Sequence, residues 1–119
     1  MYDFPELSVL SPAIAGRRIA CITFQPFTID IQFDGGALIQ AAYALTYIDA
    51  EGRQERLEPD KGLGPTLLHR AVNRTVESVE RTPAQLTLQI DGGQRIIVHS
   101  EVGGPESGFI HLDGQMHII

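Results

Sequence analysis

Three histidines in the second half of the chain come nearest to forming a chemical site. Imidazole nitrogens bind zinc and other transition metals. If the last hairpin closes with a three-residue loop, His111 and His117 become cross-strand neighbours with Cβ atoms about 5 Å apart. His99 or an acid would then be a third ligand. No ligand-spaced motif such as His-x-x-x-His is present, so we expect paired surface histidines and favour no metal site.

Serine and aspartate form no recognisable catalytic arrangement in this sequence. The stretch "GPESG" (104–108) lacks the Gly-x-Ser-x-Gly pattern of a nucleophile turn. Ser100 follows His99 directly, so their side chains would point to opposite faces of a strand. Asp34 is taken up by a turn, which leaves Asp30 without a second acid. The sequence therefore predicts no catalytic residues, no enzymatic activity and no cofactor.

The tripeptide Asp-Gly-Gly occurs twice, in "QFDGGALI" (32–39) and in "QIDGGQRI" (89–96), so the offset between the two stretches is 89 − 32 = 57. A phosphate-binding loop needs glycine-rich backbone leading into a helix, often with a lysine, whereas here a strand follows and no lysine does. A three-residue loop pairs Ile31 with Ile39 and Leu88 with Ile96, which gathers apolar side chains on one face in both segments. It also places glycine at the third loop position, where left-handed backbone is needed. We therefore predict two hairpin turns.

The same offset of 57 aligns 16–41 with 73–98 without a gap. The identical pairs are Arg17/Arg74, Pro26/Pro83, Gln32/Gln89, Asp34/Asp91, Gly35/Gly92, Gly36/Gly93 and Ile39/Ile96. Ser11 as N-cap and Pro12 at the first helical position predict a short helix before the first segment. Gly16 and its counterpart Asn73 both tolerate the left-handed backbone that ends helices. In the first strand of each segment the apolar positions are three apart, which predicts a β-bulge.

The remaining chain extends the same β pattern. "AAYALTYI" (41–48) continues the third strand, and "RQERL" (53–57) is typical of a polar edge strand. The C-terminal hairpin (108–119) has two registers. A two-residue Asp-Gly loop pairs Ile110 with His117, whereas a three-residue loop pairs Ile110 with Ile118. The hydrophobic pattern favours the second register.

These elements predict a single all-β domain over residues 1–119, with one or two short helical turns. Two βββ-type repeats, related by a pseudo-twofold axis, would share one core and form a sandwich or a small barrel. Each half has too few apolar residues to be stable alone.

Composition excludes several classes of function. The net charge of −6, from 15 acidic and 9 basic residues, argues against nucleic-acid binding, which needs a basic face. No apolar run approaches the roughly 20 residues that span a bilayer, and "MYDFPELSVL" lacks the basic start of a signal peptide. The single cysteine, Cys21, fits a reducing compartment, and we expect it to be a buried small hydrophobe. A cytoplasmic location without membrane contact is therefore expected.

The positions at which the two aligned segments differ are candidates for function. Phe24, Phe27 and Tyr43 stand where the second segment has Arg81, Ala84 and Ser100. Aromatic residues are enriched in protein interfaces, although an asymmetric core would also explain them. We predict a partner-binding end made of these aromatics and the nearby polar residues, for a protein partner or a second copy of the chain: Phe24, Phe27, Tyr43, Tyr47, Asp49, Glu51 and Glu55.

The units "GRRIACITF…IDIQFDGG" and "NRTVESVE…LTLQIDGG", with the tail "ESGFIHLDGQMHII", resemble a group of small bacterial β-rich domains of unknown function. That resemblance brings no catalytic residues. A small, acidic, cytoplasmic domain is also similar in kind to immunity proteins that block secreted toxins. Our favoured hypothesis is a non-enzymatic protein-interaction module of this kind. The alternative is a small metal- or ligand-binding β protein that uses the histidines of the C-terminal half.

Overall fold

A computed structural model describes residues 4–61, 64–101, 107–112 and 114–119 of the chain. Within these ranges the chain is mostly β, as predicted, with one α-helix, α1 (Leu7–Ile14), and 3₁₀ turns at Pro59–Lys61, Leu68–Ala71 and Asp91–Gly93. The strands are β1 (Ile19–Phe24), β2 (Ile29–Phe33), β3 (Leu38–Ala41), β4 (Ala44–Ile48), β5 (Gln54–Leu57), β6 (Val76–Arg81), β7 (Gln85–Ile90), β8 (Gln94–His99), β9 (Gly108–Leu112) and β10 (Gln115–Ile118).

The strands of the described residues form two antiparallel sheets. Sheet one has the order β1-β2-β3-β9-β10, and sheet two has the order β5-β4-β8-β7-β6. Fully buried side chains from both sheets belong to one hydrophobic cluster, among them Ile31 and Ile39 of sheet one and Leu88 and Ile96 of sheet two. Because burial of apolar area contributes about 25 cal/mol per Å², each sheet depends on the apolar face of the other.

Both Asp-Gly-Gly segments close hairpins with the predicted three-residue loops. Ile31 lies opposite Ile39, and Leu88 lies opposite Ile96, so the predicted register is confirmed in each hairpin. The third residue of each loop has the left-handed backbone that favours glycine, with φ of 101° at Gly36 and 82° at Gly93.

The predicted β-bulges are present at the start of β1 and of β6. The pairing with the next strand slips by one residue between Ile19 and Cys21, and again between Val76 and Ser78. The extra residue explains why the apolar positions of these strands are three apart. The left-handed positions before the strands are also as expected, with φ of 80° at Gly16 and 71° at Asn73.

The helix begins earlier than the sequence predicted. It starts at Leu7 with Glu6 as its N-cap, so Ser11 and Pro12 lie inside it and the prediction that they start it is wrong. Leu10 and Ile14 are four residues apart on one helix face, and both are fully buried. Burial of this apolar face decides the position of the helix more strongly than the capping signals do.

The prediction that the third strand continues through residues 41–48 is also wrong. β3 ends at Ala41, and β4 starts at Ala44 in the other sheet. At the break, the N–H groups of Ala42 and Tyr43 both donate to the Ser107 carbonyl, at 2.8 and 3.1 Å. The β4–β5 hairpin therefore pairs with β8, and the β9–β10 hairpin pairs with β3.

The C-terminal hairpin adopts the register that we did not favour. Leu112 pairs with Gln115 and Ile110 pairs with His117, so the loop has two residues. Gly114 takes the left-handed position with φ of 80°. A three-residue loop would place Gln115 there, where a side chain costs about 1–2 kcal/mol. Asp113, the other loop residue, lies outside the described residues.

Candidate functional site

The turn between β1 and β2 carries two exposed aromatic side chains. Phe24 is 43% exposed and Phe27 is 73% exposed. The turn between them is closed by a hydrogen bond from the Gln25 N–H to the Thr28 carbonyl, at 2.8 Å. We call Phe24, Phe27 and the two residues between them the aromatic tip. Its side chains are held away from the core by a short, hydrogen-bonded turn.

An apolar pocket of about 380 Å³ lies beside the aromatic tip. Phe24 forms one wall, and Gly64, Pro65, Thr66 and His69 form the others. The segment that carries these walls is attached to β5, because the Leu67 N–H donates to Glu55 Oε1 at 2.8 Å. A fixed hydrophobic pocket next to an exposed aromatic pair is suited to receiving apolar side chains from another molecule.

The two tyrosines of the predicted site lie in different surroundings. Tyr43 is half-buried, and the guanidinium carbon of Arg56 lies 5.8 Å from its ring centroid, within cation–π range. Tyr47 is 1% exposed, and its hydroxyl donates to Gln94 Oε1 at 2.5 Å. Burial raises the pKa of Tyr47 above its ordinary value, although the charge of Arg70 opposes the rise.

The three acids of the predicted site also differ in their contacts. Asp49 is buried within the β4–β5 loop and accepts hydrogen bonds from the Glu51 N–H, from the Arg53 N–H and from Arg53 Nε. Its burial alone would raise the pKa, but these hydrogen bonds and the Arg53 charge hold the pKa below its ordinary value. Glu51 is exposed, whereas Glu55 binds the Leu67 N–H. Only Glu51 presents its carboxylate openly to solvent.

The predicted partner-binding residues therefore do not form a single site. Phe24 and Glu55 both contact the segment around Thr66, beside the aromatic tip. Tyr47, Asp49 and Glu51 instead line a second pocket, near the turn between β7 and β8.

The three histidines considered as metal ligands are not brought together. His99 lies on β8 in sheet two, whereas the other two lie on β9 and β10 in sheet one. His111 pairs with Met116, so His111 and His117 are not cross-strand neighbours and the expected pair does not form. Among the described residues, no group of three or more His, Cys, Asp or Glu side chains could hold a metal ion.

Each of two histidines has a specific hydrogen-bond partner. His99 Nε2 lies 2.8 Å from Thr46 Oγ1, and His111 Nε2 lies 2.9 Å from Gln40 Oε1. Burial lowers the pKa of His99 below its ordinary value, and the nearby charge of Arg56 lowers it further. The neutral imidazole is therefore the favoured form of His99 in the folded protein.

The prediction that Cys21 is buried is wrong. The bulge at the start of β1 leaves Cys21 half-buried, and its thiol lies 2.8 Å from Gln32 Oε1. Of the serine-containing stretch 104–108, only Ser107 and Gly108 are described. Ser107 is fully buried, and its hydroxyl accepts a hydrogen bond from the Glu101 N–H at 2.8 Å.

Sequence reasoning missed three residues that shape the pockets. His69 and Arg70 are neighbours on the 3₁₀ turn Leu68–Ala71, and they line different pockets on its two sides. Gln94 was also missed, although it is a buried polar residue on the inward face of β8. The alignment of the two segments could have pointed to Gln94, because the first segment has the apolar residue Ala37 at the matching position.

Among the described residues, no helix has the length and apolar character needed to cross a membrane. Comparison of the chain with protein-family models, with curated proteins and with solved structures gives no match.

Proposed function

We propose that this protein is a non-enzymatic interaction module that binds a protein partner through the aromatic tip. The observation that carries the proposal is the exposure of Phe24 and Phe27, at 43% and 73%, on one hydrogen-bonded turn. Burying a fully exposed phenylalanine removes about 150–250 Å² from water, and a partner could still bury most of this area on Phe27 and somewhat less than half of it on Phe24.

The surroundings of the aromatic tip fit a protein partner. The pocket bounded by Phe24, Pro65 and His69 offers an apolar recess of about 380 Å³ for a partner side chain. The net charge of −6 favours a basic partner, because opposite charges speed the diffusional encounter. Immunity proteins that neutralise basic toxins combine small size and acidity in this way, and we propose a bacterial, cytoplasmic protein of that kind.

A comparative pull-down tests this proposal. The tagged wild-type chain should capture a specific partner from an extract of its native cell, and the double variant F24S/F27S should lose it. M116S is the matched control, because Met116 is also an exposed large hydrophobe, at 56%, but lies on β10. Losing two aromatic anchors of about 2 kcal/mol each would weaken binding by about three orders of magnitude.

Two results would overturn the proposal. One is that no partner is enriched by the wild-type chain over a mock resin. The other is that F24S/F27S retains its partner as well as M116S does, with both variants folded by circular dichroism.

Self-association through β10 is a second candidate, and it rests on the character of that edge strand. Residues Gln115–Ile118 contain no charged residue and no proline, whereas natural edge strands usually carry such protection. The backbone groups of Met116 and Ile118 point away from β9, because Leu112 and Gln115 form the hydrogen-bonded pair next to the loop. Two copies of β10 could pair antiparallel around His117, with Met116 of one copy beside Ile118 of the other.

Light scattering after size exclusion tests self-association. We expect a dimer at about 100 µM protein, of the order at which weak contacts form, and a monomer for I118K because a lysine on each strand would repel the other copy. V9K is the control, since Val9 is an exposed apolar residue on α1. A monomeric wild-type chain, or an I118K variant that still dimerises, would rule this candidate out.

We also propose that the fold consists of two βββ repeats related by a pseudo-twofold axis. At the junction of the sheets, the Gly16 N–H donates to the Val76 carbonyl, and the Asn73 N–H donates to the Ile19 carbonyl. These two hydrogen bonds are equivalent under the shift of 57, since 16 + 57 = 73 and 76 − 57 = 19. The bridge between Arg18 and Thr75 joins equivalent positions, since 75 − 18 = 57. A further equivalent pair consists of the hydrogen bond from the Ile19 N–H to the Arg74 carbonyl and the one from the Val76 N–H to the Arg17 carbonyl.

The pairing of strands supports the same proposal. In β1-β2-β3 and in β6-β7-β8 alike, a bulge comes first and a three-residue loop second. Each set of three strands is then followed in the chain by a hairpin that joins the other sheet, β4–β5 in the first case and β9–β10 in the second. An experimental structure tests it: residues 16–41 should superpose on 73–98 with the bulges aligned. A displacement of one bulge by one residue would contradict the duplication.

A further inference from the structure

A pocket of about 310 Å³ that is lined by several charged side chains lies where the β7–β8 turn, the β4–β5 loop and the turn Leu68–Ala71 meet. It is separate from the aromatic tip, and the proposed interaction does not use it. The residues that matter for its chemistry are Tyr47, Glu51, Arg70, Arg74, Gly92 and Gln94. Its size is at the lower end of the range for ligand pockets, which suits a small metabolite.

The wall formed by Gln94 offers a buried amide that is only half used. Gln94 is 6% exposed, and its Oε1 accepts the hydrogen bond from the Tyr47 hydroxyl at 2.5 Å. This bond orients the amide, so that Nε2 faces Gly92, where it would lie 3.9 Å from an added Cβ atom. Among the described residues, none accepts a hydrogen bond from Nε2. The pocket thus contains an oriented N–H donor that has no acceptor among the described residues.

Arginine donors converge on the same space. Arg74 Nη1 also lies 3.9 Å from the position of an added Cβ on Gly92, the same distance as Gln94 Nε2. The Arg74 guanidinium is 3.9 Å from Asp91 Oδ1, which is too long for a hydrogen bond. Arg70 lines the pocket as well, and it forms no ion pair within the described part of the chain. A carboxylate above Gly92 would therefore meet several unused N–H groups.

The charges around the pocket balance, and this decides the class of ligand. Glu51 lines the pocket with an exposed carboxylate, 3.8 Å from Arg53. In and around the pocket, three guanidinium groups accompany three carboxylates: Arg53, Arg70 and Arg74 with Asp49, Glu51 and Asp91. Such a site has little net attraction for a simple anion. It is complementary to a ligand that carries both charges close together.

We propose that this pocket binds a free α-amino acid. The ligand carboxylate is held by Arg74 and Gln94, with Arg70 beside them, and the ligand ammonium group faces Glu51. The side chain of the ligand extends towards solvent through the open side of the pocket. A bound amino acid would link the β4–β5 loop to the β7–β8 turn.

The corresponding corner of sheet one provides an internal comparison. A pocket there is lined by Ala13, Arg17, Gly35 and Ala37, at the positions that correspond by the shift of 57 to Arg70, Arg74, Gly92 and Gln94. Two of the donors are thus replaced by alanine. The Arg17 guanidinium also lies across Gly35, 2.9 Å from the position of an added Cβ, and occupies the space that stays open above Gly92.

Titration of the ¹⁵N-labelled chain with single L-amino acids, followed by NMR, tests the proposal. At least one amino acid should give saturable shifts of the Gly92 amide and the Gln94 side-chain amide. Acetate and methylamine each carry one of the two charges, and each should bind at least about tenfold more weakly, because one charged hydrogen bond contributes about 1.5–3 kcal/mol. Saturation by none of the amino acids, or equal affinity for acetate, would overturn the proposal.

Three variants sharpen the test. R74A should weaken amino-acid binding about tenfold or more, whereas R17A, its counterpart in sheet one, should leave the affinity unchanged. E51Q should weaken binding of the amino acid but not of acetate, because only the amino acid carries an ammonium group. All three positions are exposed, so thermal melting should show that the variants stay folded. Equal effects of R74A and R17A would contradict the assignment of this pocket.

Discussion

Gly36 shows how one residue fixes the first hairpin. Its φ of 101° is rarely adopted by residues with a side chain, and no atom lies within 4 Å of the position where a Cβ would stand. The cost of a substitution there is therefore a backbone cost, without a steric clash. The sequence predicted this position, because only a three-residue loop gathered the apolar residues on one face.

We predict that G36A lowers the free energy of unfolding by about 1–2 kcal/mol, the cost of left-handed backbone for a residue with a Cβ. Urea denaturation followed by circular dichroism measures it. G64A is the matched control, since Gly64 has open space and no positive φ, and it should change the value by less than about 0.5 kcal/mol. Similar effects of both variants would refute the role of φ at Gly36.

His99 makes the stability of the fold depend on pH. Its folded-state pKa lies below the unfolded value of about 6.5, so the unfolded chain takes up a proton first as the pH falls. This contribution to stability is complete above about pH 7, decreases as the pH falls through the unfolded pKa, and levels off below the folded pKa. The direction follows from the burial of the imidazole beside Thr46.

We predict that H99Q flattens the dependence of unfolding free energy on pH between about 7 and 5, because glutamine does not titrate but can still bond to Thr46. Urea denaturation of both proteins at several pH values measures this. The other titratable groups are common to the two proteins and cancel in the difference. Parallel curves for wild type and H99Q would contradict the prediction.

At the scale of elements, local pattern predicted the hairpins but not their partners. Alternation of apolar residues set the register of β2 with β3 and of β7 with β8, since a slip of one residue would turn every side chain over. The same alternation runs unbroken through residues 41–48, so nothing local marks the change of sheet at Tyr43. That break depends on the carbonyl of Ser107, which belongs to the other half of the chain.

The candidate site was harder to predict than the fold for a related reason. The sequence singled out Phe24 and Phe27 because they have no aromatic counterpart in the second segment, but an asymmetric core also explained that difference. Tyr47 is buried instead, on the interior strand β4 of sheet two, and Asp49 is buried by its hydrogen bonds within the β4–β5 loop. The role of Gln94 in the pocket could not be predicted from the sequence, because it depends on the hydrogen bond from Tyr47 of β4, which is distant in the chain.

The strand order predicts which amides exchange slowly with solvent. Amides of β8 that pair with β4 or β7 should be among the most protected, because β8 lies in the middle of sheet two. The amides of Met116 and Ile118, on the open edge of β10, should exchange much faster. Hydrogen exchange followed by NMR measures both sets in one sample. Equal protection of β8 and of these edge amides would contradict the strand order, or would indicate that β10 is paired with another copy.

For the whole molecule, the exchange of hairpins makes the two halves interdependent. β4 and β5 belong to the first half of the chain but complete sheet two, whereas β9 and β10 belong to the second half and complete sheet one. An isolated half would expose Leu45 and Tyr47, or Ile110 and Leu112, all of which are buried in the intact fold. Each half therefore needs the other half for its stability.

We predict that fragments 1–61 and 62–119 are each unfolded when separate and fold when they are mixed. The physical reason is that β3 and β8 would each lack a neighbouring strand in a separate fragment. Dispersed amide signals in NMR spectra should appear only in the equimolar mixture, with the intact chain as the reference. A cooperative thermal transition of either fragment alone would disprove the interdependence.

The pairing of β3 with β9 also has a consequence for synthesis on the ribosome. β3 ends at Ala41 and β9 starts at Gly108, so the ribosome must add the whole stretch 42–108 before the two strands can begin to pair. At about 5–20 residues per second, this takes roughly 3–13 s. During this interval the nascent β3 has one unoccupied edge, and the exit of the C-terminal hairpin from the tunnel closes it. The synthesis of β9 and β10, long after that of β3, therefore sets the earliest time at which sheet one can be complete.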